Sequence, residues 1–162
     1  MYLGIDHIVM AVRDLDKVVQ TYRKLGFEFT NIRDVVSIGA RTAEITFPGG
    51  GYIEFIMPTQ PNNFIYHHLQ KHGEGIASMA LGIDDTRATL QRLEQAGFRA
   101  KETHFPPRPM RPWFVLDESL THGVALECVD GPCQVKGGYN SYTGWEDRQK
   151  LRNPQHGNQG KA

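Results

Sequence analysis

Three polar residues interrupt strands that are otherwise apolar, and their types are those that hold cations or move protons. By the two-residue alternation of a strand, His7 shares a face with Ile5 and Val9, Glu54 with Tyr52 and Ile56, and Glu127 with Ala125 and Val129. An imidazole and two carboxylates are costly to bury alone, so they must be paired, hydrogen-bonded or bound to a cation. One shared cation would satisfy all three. A nitrogen and two carboxylates, with water in the open positions, suit Mn, Co, Ni, Zn or Fe. The chemistry open to such a set is polarisation of a substrate carbonyl, with Glu127 or Glu54 as the base for a neighbouring proton. The competing reading is three polar side chains facing solvent on an open sheet.

Other residues could serve the same site. Arg108, Arg111 and Trp113 belong to or adjoin the proline-rich stretch 104–112, where guanidinium forks could grip a carboxylate or phosphate. Proline donates no ladder bond, so this stretch is expected to be a loop over the sheet. Tyr52, beside Glu54, is a candidate for lining a ligand pocket. Glu44 is an even step from Thr42 and Thr46 and is expected to be solvated surface. His67, His68 and His72 are expected at the surface of a short helix. His122 lies five residues before Glu127, which would turn it to the opposite face of a shared strand.

The elements that position these residues come in two copies. Gly4-Ile5-Asp6-His7-Ile8 returns 71 residues later as Gly75-Ile76-Ala77-Ser78-Met79; Asp14 returns as Asp85, and Leu25-Gly26-Phe27 as Ala96-Gly97-Phe98. Where the first copy has His7 the second has Ser78. In the first copy the pattern predicts a strand over 4–12, a helix capped by Asp14 and closed by Gly26, a second strand starting with 27–30, then strands over 34–47 and 52–56. The second repeats the order, with a strand over 76–83, a helix over 86–95 and strands over 113–116 and 124–129. Glu127 matches Glu54 once two inserted residues are allowed for. The boundaries expected are a first βαβββ module over 1–57, a linker with a short helix over 58–73, a second module over 74–131 and a polar tail over 132–162. Within that tail Tyr139, Tyr142 and Trp145 would suit an arm docked on this or a neighbouring subunit.

Composition narrows the function classes. Lys and Arg number 18, as do Asp and Glu, so no net field favours nucleic acid or an anionic membrane. No apolar run reaches the roughly 18 residues of a membrane span, and the first residues lack the features of a signal peptide, so a cytoplasmic location is expected. Cys128 and Cys133 are then expected as free thiols. A small-molecule substrate and a homodimer are the partners expected.

With these residues in place, the chain over about 4–130 resembles the vicinal oxygen chelate superfamily, the glyoxalase, bleomycin-resistance and extradiol dioxygenase group. The resemblance implies an α+β fold of two tandem βαβββ modules whose mixed sheets form one cleft, with helices outside. It implies metal ligands from the first and fourth strands of each module, which map here to His7, Glu54, Ser78 and Glu127. His72-Gly73-Glu74-Gly75-Ile76, Thr121-His122-Gly123-Val124 and the linker helix are most similar to methylmalonyl-CoA epimerases, which usually carry a histidine ligand where this chain has Ser78. The implied activity is a divalent-metal-assisted isomerase, epimerase or lyase acting through an enolate, on a carboxylate or acyl-CoA substrate. The alternative within the same fold is a metal-free binding protein, antibiotic-sequestering or accessory, with Ser78 and aromatic residues lining its pocket. Whether the modules pair within one chain or across a dimer is left open by the strand pattern.

Overall fold

Asp14 and Asp85, equivalent in the repeat, begin the two longer helices in the same way. Each leaves the helix in extended conformation and accepts a hydrogen bond from the backbone N–H three residues on, Lys17 and Ala88, at 3.0 Å. The computed structural model describes residues 1–48, 50–105 and 111–131, so Arg108, Cys133, Tyr139, Tyr142 and Trp145 lie outside the described residues.

The chain runs β1 (Tyr2–Ala11), α1 (Leu15–Lys24), β2 (Asn31–Val35), β3 (Ala40–Thr46), β4 (Tyr52–Pro58), α2 (Phe64–Lys71), β5 (Gly75–Ile83), α3 (Thr86–Gln95), β6 (Glu102–His104), β7 (Trp113–Leu116) and β8 (Ala125–Asp130). The eight strands form one mixed sheet in the order β2-β3-β4-β1-β5-β8-β7-β6. The two βαβββ units therefore join within one chain, through the antiparallel pair β1 and β5 at the centre. On either side of that pair the ladder is parallel, β1 with β4 and β5 with β8.

One face of the sheet carries the helices' apolar sides. Leu15 and Val19 of α1 pack with Ala43, Ile45 and Phe55, while Leu90 and Leu93 of α3 pack with Ile83, Phe114, Leu116 and Cys128. Residues directly opposite one another on paired strands share a face, so the other face is read from the register. It bears Tyr52, His7, Ala80 and Glu127 in one row, and Glu44, Glu54, Val9, Ser78 and Ala125 in the next. α2 closes the end of this second face, with Ile65 and Leu69 buried against Val9, Ala11 and Ile56.

Two local expectations are corrected. Residues 27–30 are not a strand: Phe27 N–H closes α1 on the Tyr22 carbonyl, Phe27 and Phe29 turn into the core beside α1, and the first bond to β3 is Thr30 N–H on the Glu44 carbonyl, just before β2. The stretch 34–47 is not one strand, because a 3-10 turn at Val36–Ile38 and Gly39, at a φ of 58°, reverse the chain between β2 and β3. The segment after α3 also supplies a short edge strand, β6, before the proline-rich stretch.

Candidate functional site

The site starts with a defect in the ladder. Between Ile5 and His7 the register of β1 against β5 slips, leaving Asp6 as an extra residue. Neighbours on a regular strand point to opposite faces, but a bulge turns two consecutive side chains the same way. Asp6 and His7 thus meet, with Asp6 Oδ1 and His7 Nδ1 2.9 Å apart and both residues buried. On its far side Asp6 receives Arg111 Nη2 at 2.6 Å, and the same guanidinium donates to the carbonyls of Asp130 and Gly131.

This arrangement fixes the histidine's tautomer. Burial works to raise the Asp6 carboxyl, but the bonds from His7 and Arg111 outweigh it and hold Asp6 below the usual carboxylate range. An ionised carboxylate only accepts, so His7 Nδ1 is the donor and Nε2 is left to face the row. Tyr52 covers the imidazole, its ring stacked at 4.6 Å and 18°. Burial, then the surrounding carboxylates, keep its phenol well above its ordinary value and hence protonated.

Glu127 lies two strands from His7, roughly 10 Å at the ordinary strand spacing. Its Oε2 nevertheless comes to 3.8 Å from His7 Nε2. The residue between them in the row is Ala80, whose methyl leaves the space into which both side chains lean. Burial disfavours the imidazolium, but Asp6, Glu127 and Glu54 together raise His7 above its ordinary value. Burial likewise pushes Glu127 up, against the pull of His7. Glu54 is pushed up to about 7 by burial, with Glu44 and Glu127 adding to the effect and His7 opposing it.

The register also tests the alignment of the repeat. Val9 pairs with Glu54, and Ala80, its equivalent 71 residues on, pairs with Glu127. Tyr52 pairs with His7, and Ala125 pairs with Ser78. The bulge repeats too, at Ala77. The second unit thus keeps the backbone and the glutamate while Asp6, His7 and Tyr52 have become Ala77, Ser78 and Ala125. Ser78 is buried on the site face opposite Val9.

Glu44 was expected at the surface and is instead fully buried, directly opposite Glu54. Its Oε1 accepts from Arg33 Nη2 at 3.0 Å, while Oε2 has no hydrogen-bond partner. The even spacing Thr42-Glu44-Thr46 correctly gave a shared face; what the pattern lacks is that this face is covered. Asp6 is the other site residue the sequence reading passed over, and only its recurrence as Ala77 in the repeat hinted at it. Arg111 is turned inward to Asp6 as described above. Trp113 lies on the site face two residues before Val115, the register partner of Glu127, with its ring centre 5.3 Å from that of His104. His122 sits exposed in the turn after β7, at a φ of 60°.

Among the described residues no three His, Cys, Asp or Glu side chains are gathered into a cation cage. The donor chemistry nonetheless fits a divalent ion: an imidazole nitrogen held outward by Asp6, and the buried Glu54 and half-buried Glu127, whose carboxyls desolvation drives toward protonation and a cation would relieve.

The comparisons agree with this geometry. No curated protein matches the chain. Among solved structures, methylmalonyl-CoA epimerase from Mycobacterium tuberculosis superposes with a TM-score of 0.67 at 27% identity, over 81% of this chain and 89% of that one. A variant of the Streptomyces coelicolor methylmalonyl-CoA epimerase in complex with 2-nitronate-propionyl-CoA gives 0.70 at 29%, over 80% and 98%. A methylmalonyl-CoA epimerase in complex with methylmalonyl-CoA and NH4+ gives 0.70 at 28%, over 85% and 99%. The glyoxalase-like domain matches residues 5–159, nearly the whole sequence. The chain with the paired βαβββ units and the Asp6-supported histidine belongs to the glyoxalase-like family, in the vicinal oxygen chelate superfamily.

Proposed function

We propose that this protein is a metal-assisted isomerase or epimerase that moves the acidic α proton of a small acyl substrate, of which an acyl-CoA is the first to test. The observation that carries the reading is the shared face: a histidine oriented by Asp6, with Glu54 and Glu127 on symmetry-equivalent strands and burial raising both carboxyls. The epimerases bound to methylmalonyl-CoA and 2-nitronate-propionyl-CoA support the substrate class.

The ion would be held by His7 Nε2, Glu54 and Glu127, and when bound it would polarise a substrate carbonyl. Everything else is done by side chains. Arg111 holds Asp6, Asp6 holds His7, and Tyr52 covers the imidazole ring. Glu44 stands directly opposite Glu54 on the adjacent strand, so it is placed to take the α proton while Glu54 holds the ion. Arg33 fixes one oxygen of Glu44, whose other oxygen has no hydrogen-bond partner and is left for that proton.

The test is deuterium incorporation at the α carbon of methylmalonyl-CoA in D2O, followed by mass spectrometry with chelator-treated protein and with added Co2+ or Mn2+. Exchange should appear with the ion, and loss of the base in Glu44→Gln or of an ion ligand in Glu54→Gln should each slow it at least about 100-fold. Exchange no faster than the protein-free control, with Mn2+, Co2+, Ni2+ and Zn2+ each tried, would end the reading for this substrate. A second reading, a ligand-binding protein without turnover, is favoured by Ser78, Ala77 and Ala125. It predicts a ligand-dependent rise in stability with no exchange.

A further inference from the structure

The last turn of α2 and its C-cap carry His68 and His72, which the site just described does not use. His68 and His72 are four residues apart and so lie one above the other on the helix. Their ring centres are 5.0 Å apart and their planes tilted by 38°. Neither ring has a hydrogen-bond or ion-pair partner among the described residues. Stacked imidazoles with no acceptor between them gain little from proximity; with a cation between them they gain much.

The separation agrees with coordination. A zinc ion sits about 2.0–2.1 Å from an imidazole nitrogen and prefers tetrahedral angles, which puts the centres of two liganding rings roughly 5 Å apart. Coordination requires neutral imidazole, and burial together with the His72 charge lowers His68 from its ordinary value. Glu118, on the turn after β7, lies near enough to oppose that lowering and adds a favourable negative charge, although Lys71 holds its Oε1 at 3.1 Å. His67 is engaged differently, its ring edge-on to Tyr66 at 5.9 Å and 85°.

We propose that His68 and His72 form a second cation site, a two-imidazole clip for a borderline divalent ion such as Zn2+, Ni2+ or Cu2+, separate from the row around His7. The remaining positions on the ion are filled by water. Bridging i and i+4 staples the last turn of α2. Leu69 in that turn packs against the strands that bear the first site, so the ion also stiffens the closed end of the cleft.

The test is a Zn2+ titration of chelator-treated full-length protein, read by NMR of the histidine rings. The His68 and His72 signals should move together on one curve, while His7 reports the first site in the same spectrum. In His72→Ala, at the exposed C-cap of α2, the His68 response should need at least about tenfold more zinc. His68→Gln should weaken the His72 response in the same way. Ring signals of His68 and His72 unmoved at about 1 mM Zn2+, or an undiminished response in either variant, would overturn the proposal. Neither result touches the reading of the first site, whose own signals are independent.

Discussion

Glu54 offers a prediction that can be worked to a magnitude. Its carboxyl is 8% exposed and is pushed up to about 7, against an ordinary value of 4.5. A carboxyl raised in the native state contributes stability below its unfolded value, and that contribution is lost as pH rises through the native one. At about 1.4 kcal/mol for each pH unit between those values, the ion-free protein loses about 3 kcal/mol between pH 4.5 and somewhat above 7. His7, also raised, acts in the same direction. Glu54→Gln removes the carboxyl's share, since an amide does not ionise. Urea unfolding of both proteins in chelator, from pH 4.5 to 8.5, should show the variant gaining on wild type by up to about 3 kcal/mol across the range. Above pH 7 a divalent ion should restore wild type more than the variant. Two unfolding curves that stay parallel over the whole range would refute the argument, since Glu54 would then be as well solvated folded as unfolded.

Asp6→Asn should weaken binding of a divalent ion at His7 by about 10–100-fold, measured by chelator competition, because the amide no longer fixes the imidazole. Arg111→Met leaves Asp6 buried without its guanidinium partner and should cost about 3–5 kcal/mol in denaturant unfolding. Ala80→Leu fills the space between His7 and Glu127; overpacking should cost about 1–3 kcal/mol and depress α-proton exchange more than stability. Burial pushes the Cys128 thiol up to about 12, so it should resist iodoacetamide at pH 8 until the protein is unfolded, as peptide mapping would show.

Much of the architecture was legible because its causes are local. Asp14 and Asp85 mark helix starts by a capping bond made within three residues, and the repeat spacing paired Glu127 with Glu54 before any register was known. The misplaced strands fell where local signals conflict: residues 27–30 have strand-like composition, but Phe27 is claimed by the end of α1 and by the core. The site was legible in its outward members and opaque in its supports. His7 and Glu127 stand out as polar residues in apolar strands. Asp6 does not, because without the bulge it would point away from His7. Glu44 alternates as a surface residue would, and only its coverage by the rest of the fold makes it part of the site. Arg111 lies 105 residues from Asp6 in sequence, a separation at which periodicity is silent.

The central pair of strands is two-fold in its backbone and one-fold in its side chains. A cleft built from two equal halves would accept a substrate in either of two orientations and treat them alike. Here one end presents an anchored imidazole, a stacked phenol and a guanidinium-backed carboxylate, and the other a serine hydroxyl and alanines closed over by α2. A bound molecule would then be read from one direction only. For the epimerase proposed above, the face from which a proton leaves would be set by how the molecule enters, and the three side chains absent from one half are what give the site a front and a back.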